Sequence, residues 1–436
     1  MKNKKIDMLN GPLVGKIVIF ALPLALSSIL QQLFNSADLA VVGRFDSDKA
    51  MAAVGSNSSL VRLIGQGRKD KANEAVHTVV LLAVISGFII LGVGEILAPI
   101  LLGMMNVPDD VLKLATLYLR IFFFAMPFIE IYDFGSAVLR SKGDSTRPLY
   151  ALITAGVINV ILNLVFVIVF KMGVAGVATA TVISNFFSAC MILYFLNHEE
   201  EMLRLDFRKL RIRWEYLLGI IKIGLPAGLQ SMVFSLSNVV IQAAINSFGS
   251  DGIAGSTAEQ NFEFMAYFVI NAFAQTATTF TSQNFAAQDK ERCKKIYRLC
   301  TFIGLASCLG LSLIFLIGRH LFIQIFSTDE NVIHYAMIRM WSVCLLELLT
   351  GVYEISGGCL RGMGHSMTPA VITVLGTCVF RLVWVNTIYA AHRSYLMLMI
   401  VYPVSWVITG TAVTVAYFIT RRKEFAQIGK RRADII

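Results

Sequence analysis

Long apolar runs alternate with short polar segments along the whole chain, at 16–42, 76–97, 112–134, 149–170, 174–196, 217–248, 258–281, 299–317, 332–356, 369–389 and 395–419. Each run holds about 17 residues or more, and a helix rising about 1.5 Å per residue then crosses roughly 30 Å of hydrocarbon. Neither the alternation of a half-buried strand nor the sparse polar face of a surface helix interrupts them. The pattern predicts an all-α integral membrane protein with eleven crossings, and no stretch is left over for a soluble domain.

Internal repetition organises these helices. Ala21-Leu22-Pro23, Asn35, Phe45, Ser47 and Asp48 return as Gly224-Leu225-Pro226, Asn238, Phe248, Ser250 and Asp251 at an offset of 203. The block Leu139-Arg140-Ser141-Lys142-Gly143-Asp144-Ser145-Thr146-Arg147-Pro148 returns at an offset of 221 as Leu360-Arg361-Gly362-Met363-Gly364-His365-Ser366-Met367-Thr368-Pro369. Two homologous bundles follow: 1–196, then a linker at 197–215, a second bundle at 216–420 and a basic tail at 421–436. Asp70-Lys71 pairs with Asp289-Lys290 at an offset of 219, so most of the change in offset falls between Asp48 and Asp70. There the second half holds a crossing, and the first half holds 21 residues with a short apolar remnant at 56–64. The first bundle is expected to be one crossing short.

Charge sharpens the picture. The net charge is +10, apolar residues make up 56% of the chain, charged residues 15%, and mean hydropathy is +0.69. The basic residues gather in turns, at both termini and in the linker (Arg204, Arg208, Lys209, Arg211, Arg213), as the positive-inside bias requires, which argues against a nucleic-acid partner. Six complete crossings per bundle would put all these segments on the cytosolic side; eleven in total force one of them out. The Lys-rich start lacks a small-residue cleavage site and reads as a retained cytosolic tail. The seven cysteines lack metal-ligand spacing and read as packing residues. No Walker loop, HExxH, CxxC or hydrolase elbow is present, so neither an enzyme nor a nucleotide-driven pump is expected.

Ionisable residues inside apolar spans are the candidate functional groups, because a charge in hydrocarbon needs a partner, a polar cavity or a proton. Asp38 in the first span is either an ion-coupling carboxylate, for H⁺ or Na⁺, or a structural one. Asn159 and Asn163 share a helix face and, with Thr179 and Thr181, either line a cavity beside it or bond between helices. Glu130, Asp133, Glu347 and Glu354 lie in the third and ninth spans. Asp133 and Glu354 each stand seven residues before a repeated arginine, either as helix-end salt bridges or as protonation sites. Glu263 and Tyr267 share a face of the span that has no first-half counterpart, with Gln230 expected nearby. Arg381 demands either a carboxylate, for which Glu347 and Glu354 are the candidates, or a water-filled cavity. Pro23 and Pro226 each interrupt the first helix of a bundle, as a fixed or a moving kink. The many Phe and Met residues suit packing, lipid contact or a permissive apolar pocket.

The repeated LR-x-x-G-x-S/T-x-x-P turns, Ala21-Leu22-Pro23 with Asn35-x-x-Asp38, and the run from Gly173 to Thr181 resemble the multidrug and toxic compound extrusion (MATE) transporters of bacteria over residues 10–420. The resemblance implies a pair of bundles in the cytoplasmic membrane that exports cationic or amphipathic organic compounds in exchange for H⁺ or Na⁺, without a cofactor and as a monomer. It also implies that Asp38 is the ion-coupling residue, with Asn159 and Asn163 beside it, although many relatives carry an aspartate at position 163. The crossing missing here is that family's second. A flippase for lipid-linked or amphipathic metabolites, which needs a strongly cationic cavity, and a non-transporting membrane remnant are the alternative readings.

Overall fold

The computed structural model describes residues 6–42, 69–104, 109–324 and 326–433, and no strand occurs among them. The first half contains α1 (Leu13–Val42), α2 (Lys69–Met104), α3 (Asp109–Phe123), α4 (Met126–Ser141), α5 (Thr146–Leu164) and α6 (Gly173–Asn197). The second contains α7 (Trp214–Asn246), α8 (Gly249–Ala286), α9 (Lys290–Ile317), the short α10 (Arg319–Gln324), α11 (Glu330–Ser342), α12 (Leu348–Gly362), α13 (Met367–Thr373), α14 (Phe380–Trp384) and α15 (Tyr395–Ala433).

All eleven apolar runs fall on these helices. Nine described helices, counting α11 with α12 and α13 with α14 as single spans, are long and apolar enough to cross a membrane, and Thr116–Phe123 and Met126–Ser141, bent by 46° at the break between them, pass the same test only as a pair. The remaining run lies on α8, whose 38 residues cover about 57 Å but whose composition is too polar for a lipid-facing span. The reason is its position: α8 packs against α9, α11 and α12, and its polar residues point inward. Thr276, Thr278 and Thr279 are nearly fully buried and donate their hydroxyls to the carbonyls of Ala272, Ala274 and Gln275, one turn back. The remnant at 56–64 lies outside the described residues.

The duplication holds at the level of single hydrogen bonds. After α4 the amides of Gly143 and Asp144 donate to the carbonyls of Arg140 and Leu139 at 3.0 and 3.2 Å; after α12 those of Gly364 and His365 donate to Arg361 and Leu360, both at 2.9 Å. This helix-ending pattern needs a left-handed residue, and glycine supplies it in both copies, with φ of 90° at Gly143 and 95° at Gly364. Wider i→i+5 turns also recur, at Val165–Val169 and, one residue away from the offset of 221, at Val385–Tyr389.

The chain forms two compact units: Met1–Asp7 with Leu26–Ile221, and Met8–Ala25 with Lys222–Ile436. The boundaries therefore fall inside α1 and α7, near Pro23 and Pro226, both of which lie within their helices. In the first unit Val76, Val79 and Val80 of α2 pack with Val138 and Leu139 of α4 and Ile192 of α6. The linker's Leu203 and Leu205, both fully buried, complete that core together with Tyr216 and Ile220 of α7. In the second unit α8 and α12 approach closely along small residues: a Cβ on Gly358 would stand 2.5 Å from the Ala274 carbonyl oxygen.

Candidate functional site

The second unit encloses a cluster of charges. Glu259 and Glu263 stand one helical turn apart on α8, and Arg339 on α11 meets both. The Arg339 Nε lies 2.6 Å from Glu259 Oε2, its Nη2 donates to Glu263 Oε2 at 2.7 Å, and its Nη1 donates to Ser256 Oγ at 2.7 Å. Exposure is 1% for Arg339, 0% for Glu259 and 8% for Glu263, so water does not share the work of solvation. The Cys344 thiol stands beside the same Glu259 carboxylate that Arg339 meets. Glu347, 2% exposed and just ahead of α12, adds a third carboxylate within electrostatic reach of Glu259, Glu263 and Arg381; its Oε2 has no hydrogen-bond partner among the described residues.

Arg381 on α14 is the second guanidinium, and its surroundings correct the sequence reading. Neither Glu347 nor Glu354 forms a salt bridge with it. Its Nε donates to Ser405 Oγ at 3.1 Å, its Nη1 reaches Asn238 Oδ1 at 3.5 Å, and its plane lies 4.4 Å from the Tyr402 ring centroid and 5.3 Å from that of Phe234. Aromatic faces and neutral oxygens can stabilise a desolvated guanidinium without a counter-ion. Glu354 instead pairs with Arg361, the arginine seven residues on, at 3.4 Å. Its repeat counterpart Asp133 acts electrostatically on Arg140.

The first unit holds a neutral polar group. Asn163 Nδ2 donates to Asn159 Oδ1 at 3.0 Å, and Asn159 Nδ2 donates to Thr181 Oγ1 at 3.3 Å and Ser184 Oγ at 3.5 Å, which joins α5 to α6. Asn159 and Thr181 are buried; Thr179 turns instead to the Ala175 carbonyl of its own helix. Asp38 falls on α1, but its side chain lies outside the described residues. Glu130 is buried in α4, away from the second-unit acids in sequence and in unit. Gln230 is buried on α7 with no hydrogen-bond partner for its Oε1 among the described residues, and Tyr267 of α8 lies beside Phe268.

Of the second-unit candidates, the structure thus brings together Glu263, Glu347 and Arg381. Sequence reasoning missed Glu259, Arg339 and the positioning groups Ser256 and Asn238. The signal was present, since Glu259 stands four residues before Glu263, and Arg339 is a lone charge between Ile338 and Met340 in an apolar run.

Comparison with known proteins agrees with this architecture. The MatE family profile matches residues 55–165 and 226–385, one block in each repeat, the second beginning at Pro226. The chain is 27% identical over 388 residues to the probable multidrug resistance protein YoeA of Bacillus subtilis, covering 82% of each chain. It is 20% identical over 386 residues to the multidrug export protein MepA of Staphylococcus aureus, covering 84% of this chain and 85% of MepA. Among solved structures, the outward-facing conformation of a multidrug resistance MATE family transporter of the MOP superfamily superposes with a TM-score of 0.86 at 20% identity, over 99% of this chain and 100% of the other. A MATE structure in the straight conformation gives 0.85, also at 20% identity, over 99% and 100%. Repeat blocks, bundles and fold converge: the chain belongs to the MatE family of multidrug efflux transporters, multi-pass proteins of the bacterial cytoplasmic membrane.

Proposed function

We propose that this protein is a secondary antiporter that exports cationic or amphipathic organic compounds in exchange for H⁺ or Na⁺, acting as a monomer. The observation that carries the reading is the second-unit cluster, in which Glu259, Glu263 and Glu347 outnumber Arg339 and Arg381 by one. An uncompensated carboxylate in a low-dielectric interior is costly, by several kcal/mol, unless a cation joins it. A mobile proton or Na⁺ supplies that cation, and its arrival and departure change the charge of the site by one unit. Asp38, with Asn159, Asn163 and Thr181, is the corresponding ion-coupling group of the first unit, while Gln230 and Tyr267 line the substrate path and Pro23 and Pro226 kink the helices that rearrange.

The flippase alternative gains no support from the buried arginines. Arg339 is neutralised by two carboxylates and Arg381 is clasped by aromatic rings, so neither is left to hold a phosphate.

Purified protein in proteoliposomes tests the proposal. An imposed pH or Na⁺ gradient should drive accumulation of an ethidium-type dye, and Glu347→Gln, Glu259→Gln and Asp38→Asn should each lower the driven component while leaving the folded protein intact. Dye movement that ignores both gradients, or full driven transport in all three variants, would overturn it.

A further inference from the structure

The linker that leads into α7 is clamped onto the first turns of α2 by four residues, Asn73, Glu74, His77 and Thr78. Asn73 Nδ2 donates to the carbonyls of Glu201 and Arg204 at 2.9 and 3.0 Å. His77 accepts the Asp206 amide at Nε2, 3.0 Å away, and its Nδ1 meets the Asn73 carbonyl at 2.7 Å. Thr78 Oγ1 donates to the Arg211 carbonyl and accepts the Arg213 amide, and Glu74 pairs with both arginine side chains.

The repeat supplies a counterpart. At the offset of 219 that relates Asp70 to Asp289, Asn73 corresponds to Arg292 of α9. Arg292 holds the segment that leads into α1, donating to the carbonyls of Gly11 at 2.9 Å and Met8 at 3.0 Å, with Asn284 adding a bond to Met8 at 3.1 Å. Each leader is therefore held by the corresponding helix of one unit. The position of His77, however, is taken in the second unit by Ile296, so only one clamp contains a titratable acceptor.

The histidine has one tautomer compatible with these partners. A carbonyl at Nδ1 requires N–H there, and an amide at Nε2 requires the bare lone pair, so the imidazole must be neutral. A proton on Nε2 would point at the Asp206 amide hydrogen and remove the bond. His77 is 2% exposed with the linker docked on it. The charges around it are mixed: Glu74 on α2, Glu201 and Arg204 after α6, Asp206, Arg208, Lys209 and Arg211 on the linker, and Arg213, which pairs with Glu74. α4 and α6 contribute no charged side chain to the cleft, whose volume is about 1060 Å³. Asp206 is held below the ordinary carboxylate range by the Arg208 amide that its Oδ1 accepts, and so keeps its charge through the range in which histidines titrate.

We infer that His77 is a proton-operated catch: neutral, it fastens the linker to α2, and protonated, it lets the segment around Asp206 go, while the Arg292 clamp stays shut. This inference does not depend on which ion drives transport.

Hydrogen exchange of the whole protein in lipid nanodiscs, corrected for intrinsic rates and compared between about pH 8 and about pH 5.5, tests it. In the wild type, peptides spanning 201–213 should exchange on the order of tenfold faster at the lower pH, as expected when a buried hydrogen bond is lost; those spanning 6–12 should not change. His77→Gln, which keeps a neutral acceptor, should abolish the pH response, and His77→Leu should expose the linker at both pH values. Equal protection of 201–213 at both pH values, parallel opening of 6–12, or an unchanged response in His77→Gln would overturn the inference. The wild-type series alone decides it if a variant fails to fold.

Discussion

Replacing Arg339 with Met removes the single cation that separates Glu259 from Glu263 and unseats Ser256 at the same time. A pair of charges about 4 Å apart is worth about 4 kcal/mol at an effective dielectric of about 20, and two carboxylates share this guanidinium. Truncating one partner of a buried ion pair costs about 3–5 kcal/mol, because the remaining charge stays desolvated; here two remain. The loss should therefore sit at the upper end of that range, reduced by whatever cation or proton enters. The buried thiols of Cys344, Cys308 and Cys300 provide the readout, since a thiol-reactive dye reaches them only on unfolding, over a constant background from exposed Cys190. Arg339→Met should unfold well below Arg393→Met, which alters an exposed arginine. The triple variant Arg339→Met, Glu259→Gln, Glu263→Gln should recover most of the loss, since neutral replacement of a whole buried ion cluster is often tolerated. An Arg339→Met protein as stable as Arg393→Met, or a triple variant less stable than the single one, would refute the reasoning.

Further outcomes follow from the same geometry. Gly143→Ala should cost about 1 kcal/mol or more, through its φ of 90° and a Cβ 2.5 Å from the Ile6 carbonyl oxygen, seen as a lower unfolding temperature. Gly358→Ala should cost about 1–3 kcal/mol by forcing α12 away from Ala274, in the same assay. Asn159→Leu removes the side-chain bonds that join α5 to α6, while the Thr181 and Ser184 hydroxyls keep the carbonyls of Val177 and Thr181, so thermal unfolding should register about 1 kcal/mol. The Asp206 carboxyl is depressed, so its hold on the Arg208 amide is complete at neutral pH and is lost as pH falls through the lowered value; acid titration with hydrogen exchange over 206–210 should show the loss in the wild type and not in Asp206→Asn.

The spans were legible in the sequence because lipid imposes one rule on every residue of a run: long apolar stretches can only be helices. The repeat was legible because its turns require particular residues, Gly143 and Gly364 for a left-handed backbone and a proline one turn into the next helix. Partner choice was not legible in the same way. Arg381 looked in need of a carboxylate, and composition alone cannot reveal that Tyr402 and Phe234 bracket it. Glu259 escaped notice because its partner lies 80 residues away on another helix; the match is set by the crossing of α8 with α11. The linker's docking was hidden for a related reason, since its hold on α2 passes through backbone carbonyls and amides, which every sequence possesses.

The two repeats have kept their scaffold and divided their chemistry. Corresponding turns and leader clamps occur in both, and both bury ion pairs at their turns, Arg147 with Asp144 and Glu199 in the first unit and Arg361 with Glu354 in the second; yet the first unit joins α5 to α6 with amides and hydroxyls where the second joins α8 to α11 through Glu259, Glu263 and Arg339. The helix responsible is α8, which carries Glu259, Glu263 and Ser256. Between Asp48 and Asp70 the first half has 21 residues to set against the 38 of α8, too few to repeat it. Under the proposed antiport, Glu347→Gln should impair gradient-driven transport more than Asn159→Ala does, because only the former removes a buried carboxylate that a cation can join.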